Sequence, residues 1–202
     1  MGKAFGFTLN KDIAIPEVVK MRPPSLCKGC GHIDLYESLV EVIKQYPTAR
    51  VFSDIGCYTL GALPPYTAID TCLDMGASIT MAKGAADGGL HPSIAVIGDS
   101  TFTHSGITGL IDCVNDNNNL TIIIVDNETT AMTGGQTSSG TGKIEAICQA
   151  VGVDANHIRV CEPLKKNFDL MIQLIKEEID YTGVSVIIPR RECIQTLKRK
   201  KK

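Results

Sequence analysis

Two stretches of this chain, Ser93–Gly98 (Ser-Ile-Ala-Val-Ile-Gly) and Leu120–Asp126, carry apolar residues with almost no alternation. A strand wetted on one face alternates apolar with polar residues. An unbroken run belongs to a strand covered on both faces, as in parallel sheets. Arg50–Ile55, His157–Cys161 and Val184–Pro189 are further strand candidates. Between them lie helical patterns. Ile33–Gln45 places Leu35, Leu39, Val42 and Ile43 on one face, and Gly106–Asn115 does so with Ile107, Leu110, Ile111 and Val114. Ala77–Ala86 is rich in small residues, and Phe168–Ile179 is strongly amphipathic. Strands alternating with helices predict an α/β fold, a parallel sheet flanked by helices, with ligands bound at the carboxyl ends of the strands. The 202 residues suffice for one such domain. Three segments are expected: an arm over 1–24 marked by Pro16 and Pro23-Pro24, a domain over 25–194, and a basic tail over 195–202, whose charge run Lys198–Lys202 reads as a solvated, disordered end or the start of a linker.

Composition narrows the function. A net charge of −2, no Trp and 5% aromatic residues leave no basis for nucleic-acid binding. Runs such as Ile122–Val125 are too short to span a bilayer, and Met1–Asp12 lacks the apolar core of a signal peptide. A cytoplasmic protein without a membrane anchor is expected. In a reducing compartment the eight cysteines do not form a disulfide framework. Cys72, Cys113, Cys148 and Cys161 sit among apolar or helical residues and are expected to be buried as small hydrophobes.

The two apolar runs end in residues that suit a metal-bound anion. Gly98 is expected to allow a tight exit from the strand, leaving the Asp99 carboxylate at the strand end, with Ser100 and Thr101 at a helix start suited to anionic oxygens. The next strand ends in Asp126-Asn127. A strand–helix–strand unit of this length returns the chain to the neighbouring strand end, so Asp99 and Asn127 can converge on one ion. Few hard protein oxygens, completed by phosphates, are what Mg²⁺ takes. Taken singly, Gly-Asp-Ser would read as a helix cap and Asp-Asn as a turn; the pair at this spacing favours the ion.

Cys27-Lys28-Gly29-Cys30-Gly31-His32 is a Cys-x-x-Cys pair before a helix. The residues alone leave zinc on Cys27, Cys30, His32 and one more ligand, or a redox-active thiol pair, both open. His104 follows the anion loop and is either a ligand contact or a solvent-facing helix-start residue; His91 reads as a loop residue.

Gly98-Asp99-Ser100 followed by Asp126-Asn127 resembles the thiamine diphosphate motif, which begins Gly-Asp-Gly and ends in Asn; Ser100 departs from its third residue. Asn127–Gln136 is similar to the matching loop of 2-oxoacid:ferredoxin oxidoreductases, and Ser100–Gly106 with Thr129–Gly134 is most similar to their indolepyruvate branch. Asp74–Ser78 resembles the family segment leading into a helix beside the cofactor, although Met75 alone would read as a core residue. Lys28 and Gly31 stand where many members of that branch have Pro.

This resemblance implies thiamine diphosphate contacted by Gly56, Cys57, Gly98, Asp99, Ser100, Thr101, Asn127, Thr129, Met132 and Thr133. It implies magnesium held by Asp99, Asn127 and the Thr129 carbonyl, and a [4Fe–4S] cluster on Cys27, Cys30, Cys57 and Cys193. The implied activity is oxidative decarboxylation of a 2-oxo acid, aromatic in the indolepyruvate branch, with coenzyme A as co-substrate and ferredoxin as electron acceptor. The family also needs a pyrimidine-binding domain with an activating glutamate. No such domain is evident in these residues, so an oligomer or a partner domain is expected, and little turnover from this chain by itself. Two rivals make different demands: half of a non-redox thiamine-dependent decarboxylase has no need of the four cysteines, and a non-enzymatic zinc- or nucleotide-binding module has no need of thiamine.

Overall fold

The computed structural model describes residues 16–20 and 23–200. Most of the expected arm, including the Met1–Asp12 segment, lies outside the described residues, as do 201–202. The elements are α1 (Gly31–Ile43), β1 (Arg50–Ser53), β2 (Thr71–Cys72), α2 (Ala77–Asp87), β3 (Ser93–Gly98), α3 (Asp99–Thr101), α4 (Ile107–Asn115), β4 (Leu120–Val125), β5 (Thr129–Thr130), β6 (Gln136–Thr137), α5 (Ile144–Ala150), β7 (Ile158–Cys161), α6 (Phe168–Asp180), β8 (Val184–Pro189) and α7 (Ile194–Lys200). Phe102–Gly106, between α3 and α4, is a π-helical turn, a feature frequent at functional sites.

Six strands form one sheet in the order β2-β1-β3-β4-β8-β7, all of its pairings parallel. The expected fold class is therefore borne out. Every residue of β3, β4 and β8 is buried, because both faces are covered. Leu35, Leu39 and Val42 of α1 and Met171, Leu174, Ile175 and Ile179 of α6 pack on one face against Ile94, Val96 and Ile123. Ile79 of α2, Leu110 of α4 and Ile144 of α5 pack on the other against Ala95, Ile97, Ile122 and Ile124. The period of two along a strand and the i, i+3, i+4 spacing along the helices generate these two layers.

The strand order sets the site. From β1 the chain turns one way to β2, and β3 lies on the opposite flank of β1 and leads on to β4. The segments leaving β1 and β3 therefore part at a topological switch point, where parallel sheets open a crevice beyond their carboxyl ends.

Two expectations are corrected. The basic tail is helical over Ile194–Lys200 rather than a free charge run. The Leu197 N–H donates to the Cys193 carbonyl, Arg199 Nη1 donates to the Gly134 carbonyl at 2.7 Å, and Lys200 pairs with Glu192 at 2.6 Å. Of the four cysteines expected in the core, Cys113 and Cys148 are buried, whereas Cys72 and Cys161 are only half-buried, near the sheet's two edges where cover is thinner. Among the described residues no helix is long and apolar enough to cross a membrane.

Candidate active site

A cavity of about 360 Å³ opens at the switch point, walled by the segment after β1, the β3–α3 turn and the loop after β4. All ten expected cofactor contacts, from Gly56 to Thr133, line it. Register explains the meeting of Asp99 with Asn127: Gly98 pairs with Val125, so both strands end at one level.

Asp99 is almost wholly buried, and among the described residues its Oδ2 has no hydrogen-bond partner. Burial pushes its pKa up to about 6, against the pull of the Ser138 hydroxyl and the Ser100 N–H, with the nearby Asp126 charge adding to the rise. An unpartnered buried carboxylate oxygen is costly, and a cation relieves it. The chemistry of the donor set therefore fits Mg²⁺. Asp54, at the end of β1, offers the contrast. It is fully buried, yet Oδ1 accepts from the Tyr58 hydroxyl and Oδ2 from Ser78 Oγ at 2.6 Å and Ser78 N at 3.2 Å. Of two buried carboxylates at adjacent strand ends, one is saturated and the other is left with a free oxygen facing a cavity.

The loop after β4 is stiffened by its own side chains. The Asn127 amide oxygen accepts from the Thr129 N–H at 3.1 Å, and Thr129 Oγ1 donates to the Gln136 carbonyl at 2.9 Å. Between Asn127 and Thr129, Glu128 has a φ of 60°, a left-handed conformation uncommon outside glycine and characteristic of functional loops. Beneath the loop Asp126, fully buried, pairs with Arg190 Nε at 2.6 Å, and Arg190 forks onto Glu145 at 2.7 and 2.8 Å.

A second cavity, of about 230 Å³, adjoins the first. Cys27, Cys30, Cys57 and Cys193 all line it, and Cys57 and Asn127 line both. The turn Cys27–Cys30 closes through the Cys30 N–H on the Cys27 carbonyl at 2.9 Å, with Gly29 at a φ of 81°. The Cys193 N–H donates to the Asn127 carbonyl at 3.1 Å, which ties this cysteine to the end of β4. Gln195 Nε2 donates to Cys27 Sγ at 3.2 Å. Burial pushes the Cys30 thiol up to about 11, and the charges of Cys27, Cys193 and Cys57 add to the rise; the Cys57 thiol is raised for the same reasons. The Cys30 and Cys57 thiols are therefore neutral until a metal takes their protons.

Among the described residues no three His, Cys, Asp or Glu side chains gather as a single-ion site. A lone zinc ion needs its thiolates within about 2.3 Å of one point, whereas a cluster separates its four thiolates by its own width. His32 is buried at the start of α1 and kept neutral by that burial, with its pKa lowered to about 4.

His104 is exposed and does not line the cofactor cavity, whereas Met75, whose plainest reading was core packing, lines its mouth and is 43% exposed. Among the described residues no layer of the fold covers it. Gly98 has φ −83° and ψ 156°, an extended conformation open to any residue, so the expected tight turn is not what requires glycine there. Tyr58 and Ser138 line or support the site without having stood out in the sequence. Ser138 comes from a distant polar loop that carries no signal. Tyr58, directly after Cys57, could have been noticed as an aromatic side chain inside a motif turn.

Residues 54–188 match the family described as "Thiamine pyrophosphate enzyme, C-terminal TPP binding domain". The chain belongs to the thiamine pyrophosphate enzymes. It is 37% identical over 205 residues to "Indolepyruvate oxidoreductase subunit IorA" of Pyrococcus horikoshii, covering 89% of this chain and 30% of the relative. The subunit of the same name from Archaeoglobus fulgidus is 37% identical over 183 residues, covering 85% of this chain and 29% of the relative. The chain thus spans about 30% of the length of these relatives. The likeness to the indolepyruvate branch, read from Ser100–Gly106 and Asn127–Gln136, is borne out. In three dimensions the chain resembles 2-oxoglutarate:ferredoxin oxidoreductase from Magnetococcus marinus, a structure with 2-oxoglutarate, coenzyme A and succinyl-CoA bound, at a TM-score of 0.68 and 16% identity, covering 86% of this chain and 66% of that one. Benzoylformate decarboxylase from Polynucleobacter necessarius shares the fold at a TM-score of 0.58 and 16% identity, covering 78% of this chain and 33% of that one.

Proposed function

We propose that this chain is the diphosphate-binding module of a thiamine-dependent 2-oxoacid:ferredoxin oxidoreductase acting on an aromatic, indolepyruvate-like 2-oxo acid. The observation that carries the proposal is the sharing of Cys57 and Asn127 between the cofactor cavity and the cysteine cavity. A carbon–carbon lyase needs only the first cavity. Four thiols lining the adjoining cavity are what a one-electron acceptor would need.

Asp99, Asn127 and the Thr129 carbonyl would hold Mg²⁺, and Cys27, Cys30, Cys57 and Cys193 a [4Fe–4S] cluster. When bound, thiamine diphosphate supplies the carbon that adds to a 2-oxo acid and lets carbon dioxide leave, the cluster takes up electrons singly, and coenzyme A receives the acyl group. The chain's own part is binding and placement. Asp99 brings a carboxylate already stripped of water, so little is lost on meeting the metal. Ser100, whose hydroxyl is hydrogen-bonded to that of Thr130 at 2.8 Å, and Thr101 would flank the diphosphate at the cavity wall. Ile55, Met75 and Met132, 43%, 43% and 68% exposed, make an apolar rim at the cavity mouth. That rim suits cover by a pyrimidine-binding domain carrying the activating glutamate, and the reading includes ferredoxin as external acceptor and a cytoplasmic location.

Iron analysis and electron paramagnetic resonance of the intact, anaerobically purified enzyme test this reading. About four irons per chain at these cysteines and a reduced-cluster signal appearing with 2-oxo acid and coenzyme A are expected. Zinc or no metal after anaerobic reconstitution would leave the non-redox decarboxylase as the better account.

A further inference from the structure

We infer that Tyr58 is a positioning residue that spaces the cysteine turn from the diphosphate turn, and that its ring, rather than backbone geometry, is what demands glycine at positions 56 and 98.

Both glycines are extended: Gly98 at φ −83°, ψ 156° and Gly56 at φ −179°, ψ −172°. Neither needs the left-handed freedom that glycine provides. The space around them does. A Cβ on Gly98 would lie 2.5 Å from Tyr58 Cε1 and 3.0 Å from Cδ1, and a Cβ on Gly56 would run into the same ring edge. One ring therefore wedges between the turn that carries Cys57 and the turn that carries Asp99.

Tyr58 is held at its hydroxyl and at its backbone. Its hydroxyl donates to Asp54, whose other oxygen is held by Ser78 N and Oγ at the head of α2. Its carbonyl accepts the Tyr36 hydroxyl at 2.6 Å. Thr101 Oγ1 donates to the Ile55 carbonyl at 3.4 Å, the same carbonyl that the Tyr58 hydroxyl reaches at 3.2 Å, so the two turns are also bonded to each other beside the ring's hydroxyl. Tyr58 is nearly fully buried and still lines the cofactor cavity. Buried rings at native density do not yield to an added methyl group without displacement of their neighbours. Here the neighbours are Asp99 and Cys57.

The inference rests on the thiamine diphosphate reading of the cavity and predicts a steric swap. In the intact enzyme, Gly98→Ala should weaken thiamine diphosphate binding in the presence of Mg²⁺ by at least tenfold, about 1.4 kcal/mol. Tyr58→Val makes room for the methyl group, so Gly98→Ala/Tyr58→Val should bind at least threefold more tightly than Gly98→Ala alone. Tyr58→Phe keeps the ring, so Gly98→Ala/Tyr58→Phe should stay as weak as Gly98→Ala. Thermal melting without cofactor gives an independent reading: the methyl at 98 fills part of the space left by Tyr58→Val, so the double variant should melt above Tyr58→Val. Wild-type affinity in Gly98→Ala would overturn the inference. So would a valine double variant that binds no better than Gly98→Ala and melts no higher than Tyr58→Val. Absence of cofactor binding in the wild type would instead count against the thiamine reading, and the melting comparison would still judge Tyr58.

Discussion

Asp99 stands where stability and binding oppose each other. Its Oδ2 is buried without a partner among the described residues, so the apo fold bears a desolvated charge that the bound metal would neutralise. Asp99→Asn should raise the melting temperature of the apo protein while weakening Mg²⁺-dependent thiamine diphosphate binding on the order of 100-fold, the size of a lost charged contact. The pH dependence follows from its pKa of about 6, raised from 3.8 by burial. The folded state holds this proton more tightly than the unfolded chain does, so Asp99 lowers apo stability as pH rises from about 4 through 6. Metal requires the ionised form, so Mg²⁺-dependent affinity should fall about tenfold per pH unit below about 6 and be flat above it; calorimetry across pH 5 to 8 checks this. Asp126, also buried, is instead paired with Arg190 at 2.6 Å. Arg190→Met should leave a buried carboxylate unpaired and cost about 2–3 kcal/mol in denaturant unfolding, less than a fully buried pair because Arg190 is partly exposed.

At the scale of elements, α7 joins the cysteine cavity to the cofactor loop. It buries no residue of its own, yet Gln195 reaches Cys27 and Arg199 clasps the Gly134 carbonyl. Arg199→Ala should therefore change stability by less than about 1 kcal/mol while raising the alkylation rate of the metal-free thiols severalfold, measured by mass spectrometry of labelled peptides. How far such elements were legible depended on the strength of their periodicity. The unbroken runs of β3 and β4 and the apolar stripes of α1 and α6 announced themselves, because burial on both faces of a sheet leaves no other pattern. Asp99 and Asn127 were legible for the same reason, as polar residues closing those runs. The two-residue strands β2, β5 and β6 are too short to carry a pattern. The helix α7 was hidden because its sequence, Ile194–Lys200, is basic at its end and its contacts are hydrogen bonds to distant turns. Ser138 reaches Asp99 from such a turn, and nothing local in the sequence records that.

On the scale of the whole molecule, the strand order brings two pockets to one end of the sheet and leaves the larger one open. Among the described residues nothing covers the apolar rim of Ile55, Met75 and Met132, and the chain spans about 30% of its relatives. Expressed by itself, it should show no measurable 2-oxo acid oxidation with a ferredoxin-type acceptor, and activity should return on adding the remainder of the enzyme. Robust turnover by the chain in isolation would mean that the activating carboxylate lies within these residues. The central claim, that the ends of β3 and β4 hold a metal-bound diphosphate, is tested most directly by calorimetric titration of thiamine diphosphate into the intact enzyme with and without Mg²⁺. Saturable one-to-one binding that requires Mg²⁺ and is lost in Asp99→Asn is the predicted result, and binding of equal strength without the metal, or undiminished in Asp99→Asn, would contradict it.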